Sequence, residues 1–170
     1  VLLSGSALQA QQPAPPADPY QPALARLQGK DPGTRRQGAN ELGQQQLRRP
    51  ESAPALSELL KDQDPGVRSA AVETLGFLRA PAAAGPLSQL LASDPDAGVR
   101  QNAAVALAYI HDLAAAPALV AAVEKDAAPG VRYAAARTLA MLRAPAAAPA
   151  LIKALKDPDY VVRCHAARAL

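Results

Sequence analysis

The sequence predicts an all-α fold, an α-solenoid in which pairs of short helices stack in a row. Two short motifs recur along the chain with a common period of about 32 residues. Apolar residues make up 49% of the chain and aromatic residues only 3%, so alanine and leucine dominate the interior. Small and γ-branched side chains of this kind suit closely packed helices better than sheets.

The two motifs define the repeat. The first ends in arginine, and its copies occupy residues 32–35, 65–68, 97–100, 129–132 and 160–163, so that the arginines are 33, 32, 32 and 31 residues apart. The second begins with proline and is spaced by 32, 32, 31 and 32 residues. Its copies begin at Pro22, Pro54, Pro86, Pro117 and Pro149. Two independent motifs with one period predict a repeat architecture.

Each repeat is predicted to contain a first helix, an Asp-x-Asp turn and a second helix. Apolar residues three and four positions apart follow each proline, which is tolerated in a first helical turn. The second aspartate of the turn, as in Asp64 and Asp96, is placed to cap the next helix. The second helix is expected to end near Pro81 and Pro145, because proline cannot continue it.

One helix pair cannot bury its own apolar faces, so stacking must supply the core. The predicted repeat domain is residues 22–170, with units at about 22–52, 53–84, 85–115, 116–147 and 148–170. The first unit is the most degenerate, with Gly38 and Gly43 in its second helix, and is interpreted as an N-terminal cap. The last unit stops within its second helix and is interpreted as truncated.

Residues 1–21 are interpreted as the remnant of a signal peptide followed by a linker rich in Pro, Ala and Gln. Residues 1–10 form an apolar stretch that ends in small residues, and a cut after Ala10 is predicted. This interpretation predicts export, to the periplasm or outside the cell. The alternative is an uncleaved, weakly apolar terminus on a cytoplasmic protein. No apolar stretch reaches the roughly 18 residues that a spanning helix needs.

The succession of helix, aspartate turn, Val-Arg and AAxALGxL resembles the short HEAT-like repeats, including those named after the phycobilisome lyases. The resemblance covers about residues 22–170. It implies that the second helices line the concave surface, and we expect a bacterial protein. It also implies an alternative function, a bilin lyase or chaperone-like subunit that attaches a bilin to a phycobiliprotein.

The second helices carry constant and variable positions. Val67, Ala71, Leu75 and Leu78 recur as apolar residues and are expected to be buried. Three other positions, at i, i+4 and i+8, form one continuous face that varies, which we call the ridge. Large residues at its third position are typical interface anchors, although they could instead fill the gap between helices. The ridge comprises Ser69, Glu73, Phe77, Gln101, Val105, Tyr109, Tyr133, Arg137 and Met141.

Four of the recurring arginines, Arg68, Arg100, Arg132 and Arg163, follow an aspartate by six residues. The preferred interpretation is a structural ladder of ion pairs between repeats, each contributing about 0–1 kcal/mol if exposed. The alternative is a row of phosphate contacts to nucleic acid. The net charge of only +3, without a Lys/Arg block, makes this alternative weaker. The ladder comprises Asp62, Arg68, Asp94, Arg100, Asp126, Arg132, Asp157 and Arg163.

Groups for catalysis are sparse. The chain has one cysteine and two histidines, and no nucleotide-binding glycine motif or GxSxG sequence. Cys164 and His165 are adjacent, and adjacent residues on a helix point apart, so Cys164 is interpreted as a packing residue. The sequence therefore predicts a scaffold without enzymatic activity, cofactor or metal. Its predicted partner is a protein or peptide bound on the ridge.

Overall fold

The computed structural model describes residues 18–170. The predicted signal peptide, residues 1–10, and most of the predicted linker lie outside the described residues. The described part contains α-helices joined by short turns, several of them single turns of 3-10 helix, and no strand. Its helices are α1 (Tyr20–Arg26), α2 (Pro32–Gly43), α3 (Ala53–Glu58), α4 (Pro65–Phe77), α5 (Ala84–Ser93), α6 (Ala97–Ile110), α7 (Ala116–Lys125), α8 (Pro129–Leu142), α9 (Ala148–Ala154) and α10 (Tyr160–Ala169).

The helices form pairs, α1 with α2, α3 with α4, and so on to α9 with α10. The first helix of each pair has 6 to 10 residues and the second has 10 to 14. The predicted all-α solenoid is confirmed. None of the helices within residues 18–170 is both long and apolar enough to cross a membrane.

Aspartate caps begin most of the second helices, as the turn motif predicts. The side chains of Asp64 and Asp96 each accept a hydrogen bond from a backbone N–H three residues later, at 3.0 Å. Asp159 accepts from two N–H groups of α10. In α8 the corresponding residue is Ala128, which provides no side-chain cap.

The second helices α4, α6 and α8 end at a non-glycine residue in the left-handed region. The φ angles of Arg79, His111 and Arg143 are 50°, 60° and 50°. This conformation reverses the chain direction, and it costs a residue with a Cβ roughly 1–2 kcal/mol. The prolines Pro81 and Pro145 then start a 3-10 turn that leads into the next first helix.

The second helices form the more closely packed layer. Each packs along its length against the next, whereas the first helices contact their neighbours more sparsely. The hydroxyl of Thr74 donates to the carbonyl of Ala39 at 2.9 Å, and that of Thr138 donates to the carbonyl of Ala104 at 2.8 Å. Of the predicted core positions in α4, all are buried except the half-buried Leu78. The close packing of this layer therefore fixes the relative positions of the helices that carry the surface side chains.

Candidate binding surface on the second helices

The ladder arginines connect each repeat to the next. In Arg68, Nε and Nη2 donate to the two carboxylate oxygens of Asp94, at 2.7 and 2.9 Å. Its Nη1 donates to the backbone carbonyls of Asp62 and Gln63, at 2.8 and 3.1 Å. The same arrangement recurs in three other repeats, as Arg35–Asp62, Arg100–Asp126 and Arg132–Asp157.

This geometry differs from the sequence interpretation in one respect. The aspartate six residues before Arg68, Arg100 and Arg132 contributes its backbone carbonyl, as Gly29 does for Arg35, and the carboxylate comes from the following repeat. The carboxylate also accepts a backbone N–H two residues later, as Asp62 does from Asp64 at 2.9 Å. One aspartate thus fixes both its own turn and the preceding repeat. Arg163 keeps the carbonyl contacts, to Asp157 and Pro158.

The ladder pairs are largely withdrawn from water. The side chains of Arg68 and Asp94 are only 10% and 2% exposed. The contribution of about 0–1 kcal/mol per exposed pair therefore does not apply to these pairs. Removing one partner of a buried pair leaves a desolvated charge, which is strongly destabilising. Hydrogen bonds from Arg35 and Arg132 hold the pKa of Asp62 and Asp157, respectively, below its usual value. The guanidinium groups are occupied by these contacts, which disfavours their use for phosphates.

The ridge lies on the surface of the second-helix layer. Its third position is the most exposed apolar part, with Phe77 39%, Tyr109 41% and Met141 46% exposed. Glu73 and Arg137 are also exposed, and the remaining ridge residues are half-buried. These half-buried residues are Ser69, Gln101, Val105 and Tyr133.

An apolar cleft opens between α4 and α6. The rings of Phe77 and Tyr109 lie with their centroids 5.6 Å apart and their planes tilted by 59°. Together with Val105 and Ala106 they line a cleft of about 170 Å³ whose polar edge is formed by Glu73 and Asn102. The volume is large enough for one aliphatic side chain of a partner.

A polar network crosses the ridge beside this cleft. The side-chain amide of Asn102 donates to the hydroxyl of Ser69 at 2.6 Å and to the carboxylate of Glu73 at 2.7 Å. Further along, Gln101 donates to the hydroxyl of Tyr133 at 3.3 Å. These bonds join α4 to α6 and α6 to α8, and they fix four of the ridge side chains, those of Ser69, Glu73, Gln101 and Tyr133, in the unbound protein.

Aromatic and basic groups meet at the α8–α10 end of the ridge. The imidazole of His165 stacks on Tyr133 with ring centroids 5.1 Å apart. Burial, with smaller contributions from Arg168 and Arg137, lowers the pKa of His165. His165 thus faces its tyrosine neighbour. The adjacent Cys164 is exposed, so its interpretation as a packing residue is wrong for residues 18–170. Within residues 18–170 no cluster of His, Cys, Asp and Glu could hold a metal ion.

Sequence reasoning missed three residues of this surface. Asn102 and His165 occupy the place of Ala70 and Ala134, one position away from the ridge, and an alignment of the second helices shows their polarity. Arg48 follows α2 and places its guanidinium 5.1 Å from the ring centroid of Phe77. It lies outside the repeating pattern, so the sequence contains no signal for its position.

Comparisons with known proteins agree with the fold. The family model for HEAT repeats matches residues 20–108 and 85–170. The structure of the complex of CpcE and CpcF of phycocyanin lyase from Nostoc sp. PCC7120 is similar, with 29% identity and a TM-score of 0.77 over 98% of this chain and 68% of that chain. No curated protein matches the chain.

Two further solved structures show the fold alone. An engineered protein has 23% identity and a TM-score of 0.72 over 89% of this chain and 78% of that chain. The Escherichia coli protein YibA has 24% identity and a TM-score of 0.72 over 86% of this chain and 56% of that chain. The HEAT-repeat family match and the similarity to the phycocyanin lyase complex support a repeat scaffold or protein-interaction role.

Proposed function

This chain belongs to the HEAT-repeat family, and we propose that it is a non-catalytic interaction module that binds a protein or peptide on the ridge. The observation that carries the proposal is the row of Phe77, Tyr109 and Met141. These three large side chains stand at one equivalent position and remain about two fifths exposed. Aromatic and methionine side chains of this kind are enriched at the centres of protein interfaces.

The alternative, that this row only fills gaps between helices, explains less of the geometry. It accounts for the contact between the Phe77 and Tyr109 rings. It does not account for the open cleft beside them. A preorganised apolar cleft with a hydrogen-bonded polar edge lowers the entropy lost when a partner binds.

The test is a selection of binding peptides from a displayed library on the folded protein. The enriched peptides are then measured against the triple variant Phe77→Ala, Tyr109→Ala and Met141→Ala. We expect the variant to melt at a lower temperature, since more than half of each side chain is buried, but to remain folded at the temperature of the binding assay. It should bind the peptides at least about tenfold more weakly.

A matched control removes three exposed apolar side chains elsewhere, Leu113→Ala, Ile152→Ala and Leu155→Ala. These residues lie outside the second helices, so binding should be unchanged. If the control loses the peptides as strongly as the ridge variant, or the ridge variant keeps them, the partner binds elsewhere and the proposal is wrong.

A second candidate is a subunit of a bilin lyase. The similarity to the phycocyanin lyase complex favours it, since the aligned regions cover almost all of this chain. A fold shared with a lyase is weak support, because one fold carries many functions. Co-expression with a bilin and a phycobiliprotein subunit tests it. Covalent chromophore on the acceptor would support this candidate, and acceptor without chromophore would remove it.

A further inference from the structure

The second helices, α2, α4, α6, α8 and α10, form the layer that carries the ridge, which we call the ridge layer. Its exposed charges at the ridge positions are mostly basic. Arg36 occupies in α2 the position of Ser69, and Arg168 occupies in α10 the position of Arg137. All three arginines are exposed, and within residues 18–170 none of them forms an ion pair. The carboxylate on the ridge, Glu73, already accepts a hydrogen bond from Asn102. The layer therefore presents an excess of positive charge.

The first-helix side of the molecule lacks this bias. There, exposed charges of both signs occur, and Lys153 of α9 lies 3.5 Å from Glu124 of α7. Its other exposed charged residues include Glu51, Glu58, Lys61, Lys125 and Lys156. Four lysines thus stand against three glutamates among these residues, whereas three arginines stand against one glutamate on the ridge layer, so the basic excess is larger on the ridge layer.

The basic charge is concentrated near one end of the ridge. Arg137 and Arg168 stand at equivalent positions of neighbouring helices. Both are close enough to His165 to contribute, after burial, to the lowering of its pKa. A positive potential at this end would attract carboxylates, and exposed charges of one sign steer partners of the opposite sign.

The distance between the cleft and this basic end sets the length of a ligand. Neighbouring packed helices lie roughly 8–10 Å apart, so the cleft between α4 and α6 is about 12–15 Å from α8 and about 20–25 Å from α10. An extended chain advances about 3.3 Å per residue. A residue in the cleft is thus separated by about four residues from one that reaches Arg137, and by about seven from one that reaches Arg168.

We propose that the ridge binds an acidic segment of a protein, with one apolar side chain in the cleft between Phe77 and Tyr109 and carboxylates on Arg137 and Arg168. This inference rests on the proposed function and specifies the chemistry of its partner. A nucleic acid fits less well. The tilted rings of Phe77 and Tyr109 do not form a flat platform on which bases could stack.

The experiment uses synthetic peptides of about twelve residues and fluorescence anisotropy. The acidic probe has one leucine, glutamates about four and seven residues away from it, and a Gly/Ser background; a second probe has the reverse order. A control peptide has lysines in place of the glutamates. We expect one acidic probe to bind at least about tenfold more tightly than the lysine peptide, and less tightly as salt is added.

Charge reversal provides the matched pair of variants. Arg137→Glu with Arg168→Glu, and Lys125→Glu with Lys156→Glu, each take the formal net charge from +3 to −1. We expect the variant with both arginines reversed to bind the acidic probe about tenfold or more weakly. The variant with both lysines reversed should bind it with wild-type affinity. The inference would be overturned if the acidic probes and the lysine peptide bound equally well, or if neither acidic probe bound. It would also be overturned if the arginine variant bound the acidic probe with wild-type affinity.

Two further measurements separate this inference from the proposed function. If the ridge variant lacking Phe77, Tyr109 and Met141 binds no peptide while charge reversal leaves binding unchanged, binding on the ridge is supported. The preference for acidic partners is then wrong. If that variant keeps the acidic probe at full affinity, the proposed function itself fails. A twelve-nucleotide single strand that binds the ridge more tightly than the acidic probes would overturn the inference in favour of nucleic acid.

Discussion

Helix α8 contains two arginines, five residues apart, with different surroundings. Arg132 donates through Nε and Nη2 to both carboxylate oxygens of Asp157 in the next repeat, at 2.7 and 2.9 Å, and its side chain is largely buried. Arg137 lies exposed on the ridge, and within residues 18–170 it forms no ion pair. The residue type is the same, so the surroundings must decide the role.

The difference shows how a repeat array separates stability from binding. A ladder arginine recurs because each repeat presents its aspartate at the same point to the repeat before it. A ridge residue is exposed or half-buried at the surface, so packing restricts it less, and it varies from Glu73 to Val105 to Arg137. Repeat stabilities and interfaces add along a solenoid, so the ladder contributes to how firmly the repeats stack. We propose that the ridge, in contrast, determines which partner they bind.

The largest expected effect follows removal of a ladder arginine. Arg68→Ala leaves the carboxylate of Asp94 buried without its cation, and we expect a loss of about 3–5 kcal/mol in the free energy of unfolding. Arg137→Ala should change it by less than about 0.5 kcal/mol. Urea unfolding followed by circular dichroism measures both. Similar losses in the two variants would show that burial of the pair does not matter.

Acid should weaken the ladder. The pKa of Asp62 and Asp157 lies below its ordinary value of 3.8, chiefly because Arg35 and Arg132 donate to the two carboxylates. As pH falls the unfolded chain takes up protons first, so the stability that these pairs contribute is present above about pH 4 and is lost below it. Asp157→Asn should unfold with a smaller pH dependence between about pH 5 and pH 3. An unchanged slope would contradict this account.

The smallest effect concerns arginines with a third kind of surroundings, at the ends of α4 and α8. Arg79 and Arg143 adopt positive φ, which glycine adopts without steric cost. Arg79→Gly and Arg143→Gly should each raise the free energy of unfolding by about 0.5–1 kcal/mol. Thermal melts measure the change. A lower melting temperature would show that these side chains make contacts that outweigh the backbone strain.

Much of the fold could be predicted from the sequence, because a repeat states its pattern several times. The period, the helix pairs and the aspartate caps follow from local chemistry. The partner within the ladder did not follow. Arg68 has Asp62 six residues before it and Asp94 26 residues after it, and only the stacking of repeats shows which carboxylate faces the guanidinium.

The surface was less predictable for a similar reason. Ridge positions follow from helical spacing, so all nine residues could be named in advance. Asn102 lies one position away, and its bonds to Ser69 and Glu73 depend on how α6 is placed against α4. The stacking of Arg48 on Phe77 depends on the path of the chain after α2. Contacts between elements require the packing, which periodicity alone does not provide.

The most direct test of the division between ladder and ridge compares Arg132→Gln with Arg137→Gln, two neutralisations in one helix. Unfolding and acidic-peptide binding are measured on both variants at a temperature where both are folded. We predict that Arg132→Gln unfolds more easily and binds like the wild-type protein, and that Arg137→Gln has wild-type stability and binds more weakly. Loss of stability and binding together in either variant, or the reverse assignment, would contradict the account.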